Sequence, residues 1–348
     1  MSDYDVAIIG GGPAGSAAAL TLLRYSKLRP VILERSSYDA WRVGETLSPG
    51  VFPLLTYLGA EAVLTDRGQR RAYATSAAWG SADVVLRDFL FTGGGDAWHL
   101  DRAQFDLSLA QLVIDRGGTV LTGTPLTAET LESLAAKCVA KYVIDATGRH
   151  AAFARTRGAH AIAEDTLTGL VAVFEGGPDQ HTATLVEAVE DGWWYSARLP
   201  QNRIVVAFMT DADIIRAGHL NERETWLARL DQTTPTRKRV ADAQLQHGPM
   251  ACPAHSQILD PVAGDGWIAA GEAAVGFDPL SSMGIGYAMA SGIQAARIAA
   301  STLGGDTEHA RLFASDVRKH YDAYLARRQA YYAIEKRWPE SPFWRRRR

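Results

Sequence analysis

Residues 5–15 run Asp5-Val6-Ala7-Ile8-Ile9-Gly10-Gly11-Gly12-Pro13-Ala14-Gly15, and this order decides how the fold begins. Val6 to Ile9 form a short apolar run of the kind a buried parallel strand needs. Gly10, Gly12 and Gly15 then follow with G-x-G-x-x-G spacing as a helix opens. Gly10 permits the tight turn, Gly12 lets the backbone approach a pyrophosphate because it lacks a Cβ, and Gly15 allows close helix-on-strand packing. The helix N-terminus, with Pro13 and Ala14 in its first turn, presents unpaired N–H groups to the phosphates. A second apolar run, Val31 to Leu33, ends in Glu34, placed to accept hydrogen bonds from an adenosine ribose with free hydroxyls. Strand, turn, helix and acid in register predict dinucleotide binding.

The rest of the composition excludes other classes. A chain of 348 residues with 36 Lys+Arg against 39 Asp+Glu and a net charge of −3 has no overall pull toward nucleic acid or an anionic membrane. The basic run Arg345 to Arg348 reads as a solvated tail. Two cysteines, Cys138 and Cys252, are too few for a disulfide scaffold and suit a reducing cytoplasm. No secretory leader and no membrane-length apolar stretch are expected, so the protein reads as cytoplasmic. Cys252 and His255 are too few ligands for a structural zinc site, and no metal is expected.

Two further segments belong with the glycine motif. Tyr142 to Asp145 form a strand-like run that breaks at Ala146-Thr147-Gly148-Arg149, and Trp267 to Ala270 lead into Gly271-Glu272, then Asp278-Pro279 and Met283-Gly284-Ile285-Gly286. Between them, Leu167–Phe174, Thr182–Val189, Trp193–Leu199 and Ile204–Met209 are short β-branched or aromatic runs split by turn residues, the pattern of an antiparallel sheet. The sheet is expected over 161–249, joined by 78–95, with its inner face over the cofactor. Asp101 reads as the N-cap of a helix carrying Arg102, Phe105 and Leu109.

The order GxGxxG…ER, DATGR, GE…DPLSSMGIG resembles the FAD-binding domain of flavoproteins of the para-hydroxybenzoate-hydroxylase type, which include monooxygenases, halogenases and geranylgeranyl reductases. The resemblance implies an α/β fold: a Rossmann-type FAD-binding domain of the para-hydroxybenzoate-hydroxylase and glutathione-reductase kind, with an inserted antiparallel-sheet substrate domain and C-terminal helices. The FAD domain would comprise 1–77, 96–160 and 250–304, the substrate domain 78–95 and 161–249, and the helical tail 305–348. Carried over, Gly10, Gly12, Pro13, Ala14 and Gly15 would hold the pyrophosphate and Glu34 the ribose. Arg35 and Arg42 would flank the adenine and phosphate side, and Gly44, Glu45 and Thr46 would lie close to the flavin, with Arg102 also meeting the cofactor. Ala146, Thr147 and Gly148 form a third cofactor segment; Gly271 and Glu272 would bind the ribityl chain, Glu272 replacing the usual aspartate. Pro279, Met283, Gly284 and Ile285 would lie against the isoalloxazine ring.

Within that family, GETLSP at 44, WHLDRAQFD at 98, DGWWYSARLP at 191 and EKRWPESPFW at 335 resemble the flavoproteins that mature lysine-epsilon-oxidase and glycine oxidase, where a tryptophan of a partner polypeptide is oxidised to build tryptophylquinone. Trp193, Trp194 and Tyr195 would then line the substrate pocket, Trp193 and Tyr195 on one strand face and Trp194 on the other. Tryptophan halogenases are related, but the lysine they need is missing: none occurs between Lys27 and Lys137, and Arg70 or Arg71 is a poor substitute. The implied reaction is hydroxylation of an electron-rich aromatic compound or peptidyl tryptophan by a flavin C4a-hydroperoxide. Oxygen would be the co-substrate, and FAD would be reduced by NAD(P)H directly or by a separate flavin reductase. His99 and Glu45 are the first candidates for proton handling. Halogenation, hydride transfer on the same fold, and a non-catalytic chaperone for a partner polypeptide are the competing readings.

Overall fold

Val6–Ile9 is a strand with no exposed surface, lying in register between two parallel neighbours, Pro30–Leu33 and Tyr142–Asp145. A strand buried on both faces reads as a continuous apolar run, which is what these three segments share apart from the buried Asp145 at the end of the third. The computed structural model describes residues 4–65, 68–89, 95–135, 140–178 and 182–348. Cys138 lies outside the described residues, as does part of the 78–95 segment. Trp267–Ala269 and Thr119–Leu121 extend the parallel sheet on either side, and Ala263–Gly264 adds an antiparallel edge, giving six strands.

The glycine motif sits at the C-terminal end of the central strand, where ligands bind in such sheets. Its helix, Pro13–Tyr25, packs on the long helix Gly284–Leu303. Small residues allow that approach: a Cβ on Gly292 would fall 2.2 Å from the Ala14 carbonyl oxygen. Both ends of the cofactor segment set are therefore held by one helix pair.

A seven-stranded sheet stands against this unit in the order 243–253, 167–176, 203–211, 192–198, 184–189, 74–78, 85–88, antiparallel throughout except where Thr184–Val189 runs parallel to Ala74–Ala78. The four aromatic and β-branched runs are its central strands. It extends further than the sequence suggests: Ala74–Ala78 and Ala243–Pro253 are both members, so the edges placed at 78 and 250 fall inside strands. The first is alanine-rich and the second is an edge strand exposed along most of its length, so neither shows a strong apolar alternation. A small three-stranded sheet, Thr46–Leu47, Ala97–His99 and Arg70–Ala72, lies where the cofactor unit and the large sheet meet.

The C-terminal segment is not a solvated tail. After the helix Glu308–Tyr332, Phe343 and Trp344 are fully buried, and Arg347 is 5% exposed with two hydrogen bonds to the Asp211 carboxylate. Arg346 bridges Asp211 and Asp213, and Arg348 donates to the Glu335 carbonyl. Arg345, alone of the four, has no such bond among the described residues. The carboxylates lie more than a hundred residues away, which is why the run reads as unpaired in the sequence. Among the described residues no helix is long and apolar enough to cross a membrane.

Candidate active site

The turn at the head of the first helix has the shape the sequence implies. Gly10 adopts φ +103°, and a Cβ there would lie 2.4 Å from the Ala146 oxygen; one on Gly15 would lie 1.9 Å from the Gly10 oxygen. A Cβ on Gly12 meets nothing within 4 Å, so the space in front of the helix N-terminus is open, as a pyrophosphate requires. Gly284, at the head of the second helix, has the same open surround. Pro13 and Ala14 continue the first turn, and Ala146, Thr147 and Gly148 close it from the neighbouring strand, with Thr147 N and Oγ1 both donating to Asp145. These residues fit FAD.

Glu34 is 5% exposed and takes four donors: Gly11 N at 2.7 Å, Ser36 N and Oγ, and Arg42 Nη2 at 3.2 Å. Burial raises its pKa, but those donors outweigh it and the net direction is downward, so the acid stays ionised. Arg42 links Glu34 to Asp106, and Arg102 closes the network, donating to Asp106 and to the carbonyls of Val43 and Gly44. Arg102 and Arg42 thus brace the turn before Glu45, an ordering role that Asp106, fully buried, makes possible. Arg35 is exposed at the surface end of the same turn. Glu272 pairs with Arg149 at 3.1 Å and keeps 43% of its side chain exposed, leaving room to accept from a ribityl hydroxyl. Pro279 opens a one-turn helix capped by Asp278, and Met283, Gly284 and Ile285 begin the long helix beyond it.

Thr46, His99 and Arg70 lie directly opposite one another across the three-stranded sheet and so share a face. That face meets the large sheet: His99 Nε2 is 3.0 Å from Thr184 Oγ1, and Thr46 Oγ1 is 2.6 Å from the Tyr195 hydroxyl. The other face carries Leu47 and Trp98 into the core, with Arg71 stacked over Trp98. His99 has no exposed surface; burial above all, then the charges of Arg239 and Arg70, hold its pKa at about 4 despite a bond to the Arg198 backbone. The ring is neutral at physiological pH. It is a poor base and a fixed hydrogen-bonding group.

Glu45 is the exception in this layer. It is 4% exposed, its Oε2 accepts from Gly44 N at 3.0 Å, and its Oε1 is buried without a partner among the described residues. Burial pushes its pKa up to about 7, with Arg102 working in the opposite direction. Its charge also bears on Tyr195 and Cys252, so the carboxyl lies between the cofactor turn and the large sheet. A carboxylic acid poised near neutrality, with one oxygen unused, can take or give a proton.

The tryptophans do something other than line a pocket. Strand alternation separates them as expected, but both are 1% exposed. Trp194 stacks on Phe208 at 4.7 Å and meets Trp226 of the helix Arg223–Asp231. Trp193 donates to the Tyr332 hydroxyl and packs against Trp79 and the C-terminal segment. Elements far away in sequence cover each face, so neither indole offers a free stacking surface; of the three, only half-buried Tyr195 reaches the polar layer. Thr184 and Arg239 join the site with no signal of their own in the sequence, whereas Asp106 closes the WHLDRAQFD stretch. Among the described residues no three His, Cys, Asp or Glu side chains gather as a metal set, and His255 Nε2 is 2.9 Å from Gln257 Oε1.

A glycine turn and a helix N-terminus open to a flavin dinucleotide, beside a buried polar layer, fit a flavoenzyme, and comparison with known proteins agrees. The chain belongs to the FAD binding domain family, whose model matches residues 3–321, and it is an FAD-dependent oxidoreductase. It is 34% identical over 368 residues to the FAD-dependent oxidoreductase LodB of Marinomonas mediterranea, covering 100% of this chain and 97% of that one. Among solved structures it shares its fold with the myxobacterial chondrochloren halogenase CndH, at TM-score 0.85 and 21% identity over 99% of this chain and 86% of that one. It also superimposes on QhpG, a peptidyl tryptophan dihydroxylase essential for tryptophylquinone cofactor biogenesis, at TM-score 0.75 and 22% identity over 99% and 79%.

Proposed function

We propose that this oxidoreductase is a monooxygenase that inserts oxygen into an electron-rich aromatic ring, with a tryptophan side chain of a peptide or protein as the leading substrate. The observation that carries the reading is Glu45: a buried carboxyl with pKa about 7 and a free Oε1, between the Arg102-braced turn and the Tyr195–Thr46 hydroxyl pair. When bound and reduced, FAD supplies the activation of molecular oxygen. Gly12, Ala14, Glu34 and the 284–285 backbone would hold it, with Pro279 against its ring.

The protein's own share is positioning and proton transfer. An indole is already nucleophilic, so orientation against the flavin side of the layer does most of the work. Neutral His99, fixed by Thr184, and Tyr195, fixed by Thr46, would set the ring's place. Glu45, through Oε1, would take the proton released as the ring recovers aromaticity, and burial of the layer keeps bulk water from the reacting groups. QhpG, a peptidyl tryptophan dihydroxylase of the same fold, supports a peptidyl tryptophan as substrate. Electrons would come from NAD(P)H directly or through a separate reductase.

The halogenase relatives leave one competing chemistry. Arg70 stands in the layer beside His99, and a permanently charged guanidinium does not readily form a haloamine. The test is mass spectrometry of candidate tryptophan peptides incubated with FAD-loaded protein, a flavin reductant, oxygen and excess bromide. Gain of oxygen is expected; a brominated main product would overturn the reading.

A further inference from the structure

Three arginines among the described residues are buried, and two of them are accounted for. Arg347 sits on the Asp211 carboxylate, and Arg198 donates to the Gly176 carbonyl and to the Asn202 side chain. Arg239, 8% exposed, makes one hydrogen bond among the described residues, Nη1 to the Ala183 carbonyl at 2.6 Å, and forms no ion pair with any described carboxylate. Largely burying a guanidinium without an anion is unfavourable as a rule, and because Nε and Nη2 are unbonded among the described residues yet not sealed off from their surroundings, they remain open to an incoming anion.

Its placement says where that charge would come from. Arg239 ends the short helix Pro235–Arg239, whose start is clamped by Glu187 accepting from Thr234 N, Thr236 N and Thr236 Oγ1. The helix packs on the strands that carry Thr184 and Tyr195. Ala183, which anchors the guanidinium, immediately precedes Thr184, whose hydroxyl meets His99. The charge of Arg239 bears on both His99 and Tyr195. The guanidinium is therefore anchored on the residue preceding Thr184, within electrostatic reach of the two side chains that would set the aromatic ring's place. Burial lowers its pKa to about 10, which leaves it charged at neutral pH.

We propose that Arg239 is a substrate-recognition residue that binds a carboxylate carried by, or adjacent to, the aromatic group undergoing reaction. This deepens the monooxygenase reading and rests on its location of the substrate in the layer. The carboxylate has two sources: the acid group of a small aromatic acid, or an acidic side chain neighbouring a tryptophan in a peptide. A planar guanidinium with unused N–H groups matches a carboxylate in two parallel bonds, a geometry lysine does not reproduce.

Calorimetric titration of the FAD-loaded protein tests this without any turnover. The probes are indole-3-acetate against indole-3-acetamide, and acetyl-Glu-Trp-amide against acetyl-Gln-Trp-amide. In wild type, the acid of at least one pair binds about tenfold or more tightly than its neutral partner; the pair that discriminates identifies the source. Arg239→Gln reduces the ratio to within about twofold while the neutral probe's affinity and the flavin content are retained, and Arg239→Lys keeps part of the preference. Equal affinities in wild type, binding of neither acid, or a preference that survives Arg239→Gln overturns the assignment. If the glutamine variant fails to fold, the lysine variant decides: undiminished preference there counts against the proposal, and a reduced one supports it. Should the acid preference hold while no oxygen is added to any probe, the recognition site stands and the monooxygenase reading falls.

Discussion

Replacing Glu45 with glutamine tests the protonation argument through stability before any substrate is known. The folded protein holds the Glu45 proton up to about pH 7, whereas the unfolded chain releases it near its ordinary value of 4.5. Between those values the folded state binds more protons than the unfolded one, so wild-type stability falls as pH rises through this window. Two and a half pH decades correspond to about 3 kcal/mol, and the portion between pH 5 and pH 8 is about 2.5 kcal/mol. The amide of Glu45→Gln has no such proton, and its oxygen can still accept from Gly44 N, so the variant's stability should lack this decline. His99 acts with the opposite sign, favouring the fold above 6.5 and losing that contribution as pH falls toward about 4. It does so in both proteins, so it cancels in the difference. The assay is urea unfolding at pH 5, 6, 7 and 8 with free FAD held constant, because ligand binding shifts apparent stability. Parallel pH profiles for the two proteins would refute a buried, proton-holding Glu45. On an identified substrate, the same variant should lose about 10²–10⁴ in turnover with its flavin retained.

Gly12→Val should fold and yet purify without flavin, because its Cβ projects into open space that the pyrophosphate needs; a full complement of FAD in that variant would remove the cofactor assignment. Trp194→Ala should cost about 3–5 kcal/mol in denaturant unfolding, whereas Tyr195→Phe, which loses a single hydroxyl bond, should cost about 1 kcal/mol. The reverse ranking would restore Trp194 to the pocket. Arg347→Ala strands Asp211 in the core and should cost about 3 kcal/mol, the lower end for a broken buried pair because Arg346 remains on the same carboxylate. Arg345→Ala, on the member of the run without such a bond, should leave unfolding within about 0.5 kcal/mol of wild type.

The parts of the site readable in the sequence are those whose function depends on local geometry. A turn that needs φ +103° at Gly10, a helix that needs an open N-terminus at Gly12 and an acid one strand away at Glu34 leave a spacing in the chain. The antiparallel strands are equally legible, because alternation is local. What alternation does not tell is which element covers each face. Family resemblance and alternation assign Trp193 and Trp194 to a pocket, and only the fold brings Trp226 over Trp194 and Tyr332 over Trp193. Thr184 and Arg239 carry no spacing signal at all: they matter because two sheets meet at His99. Glu45 is visible as a residue, but its chemistry is a consequence of burial that the sequence does not encode locally.

The C-terminal segment explains how that burial is kept. Asp278, fully buried at the head of the loop expected to lie against the flavin ring, accepts from the Tyr332 hydroxyl at 2.8 Å and from Arg328 Nε at 3.1 Å. The same Tyr332 oxygen accepts from Trp193 Nε1 at 3.0 Å, and Arg328 also binds Asp165 at the entry to the large sheet. One helix end therefore ties the Pro279 loop to Trp193 of the large sheet and to Asp165 at its entry. Asp278 also caps its own loop through Leu280 N, so moving the tail would disturb the turn that carries Pro279. Burial is what raises the Glu45 pKa, and these bonds hold the two units together around it. The aromatic strand would serve the proposed chemistry in this indirect way: Trp193 is a strut in the clamp, and Tyr195, two residues on, is the part of the strand that reaches into the polar layer.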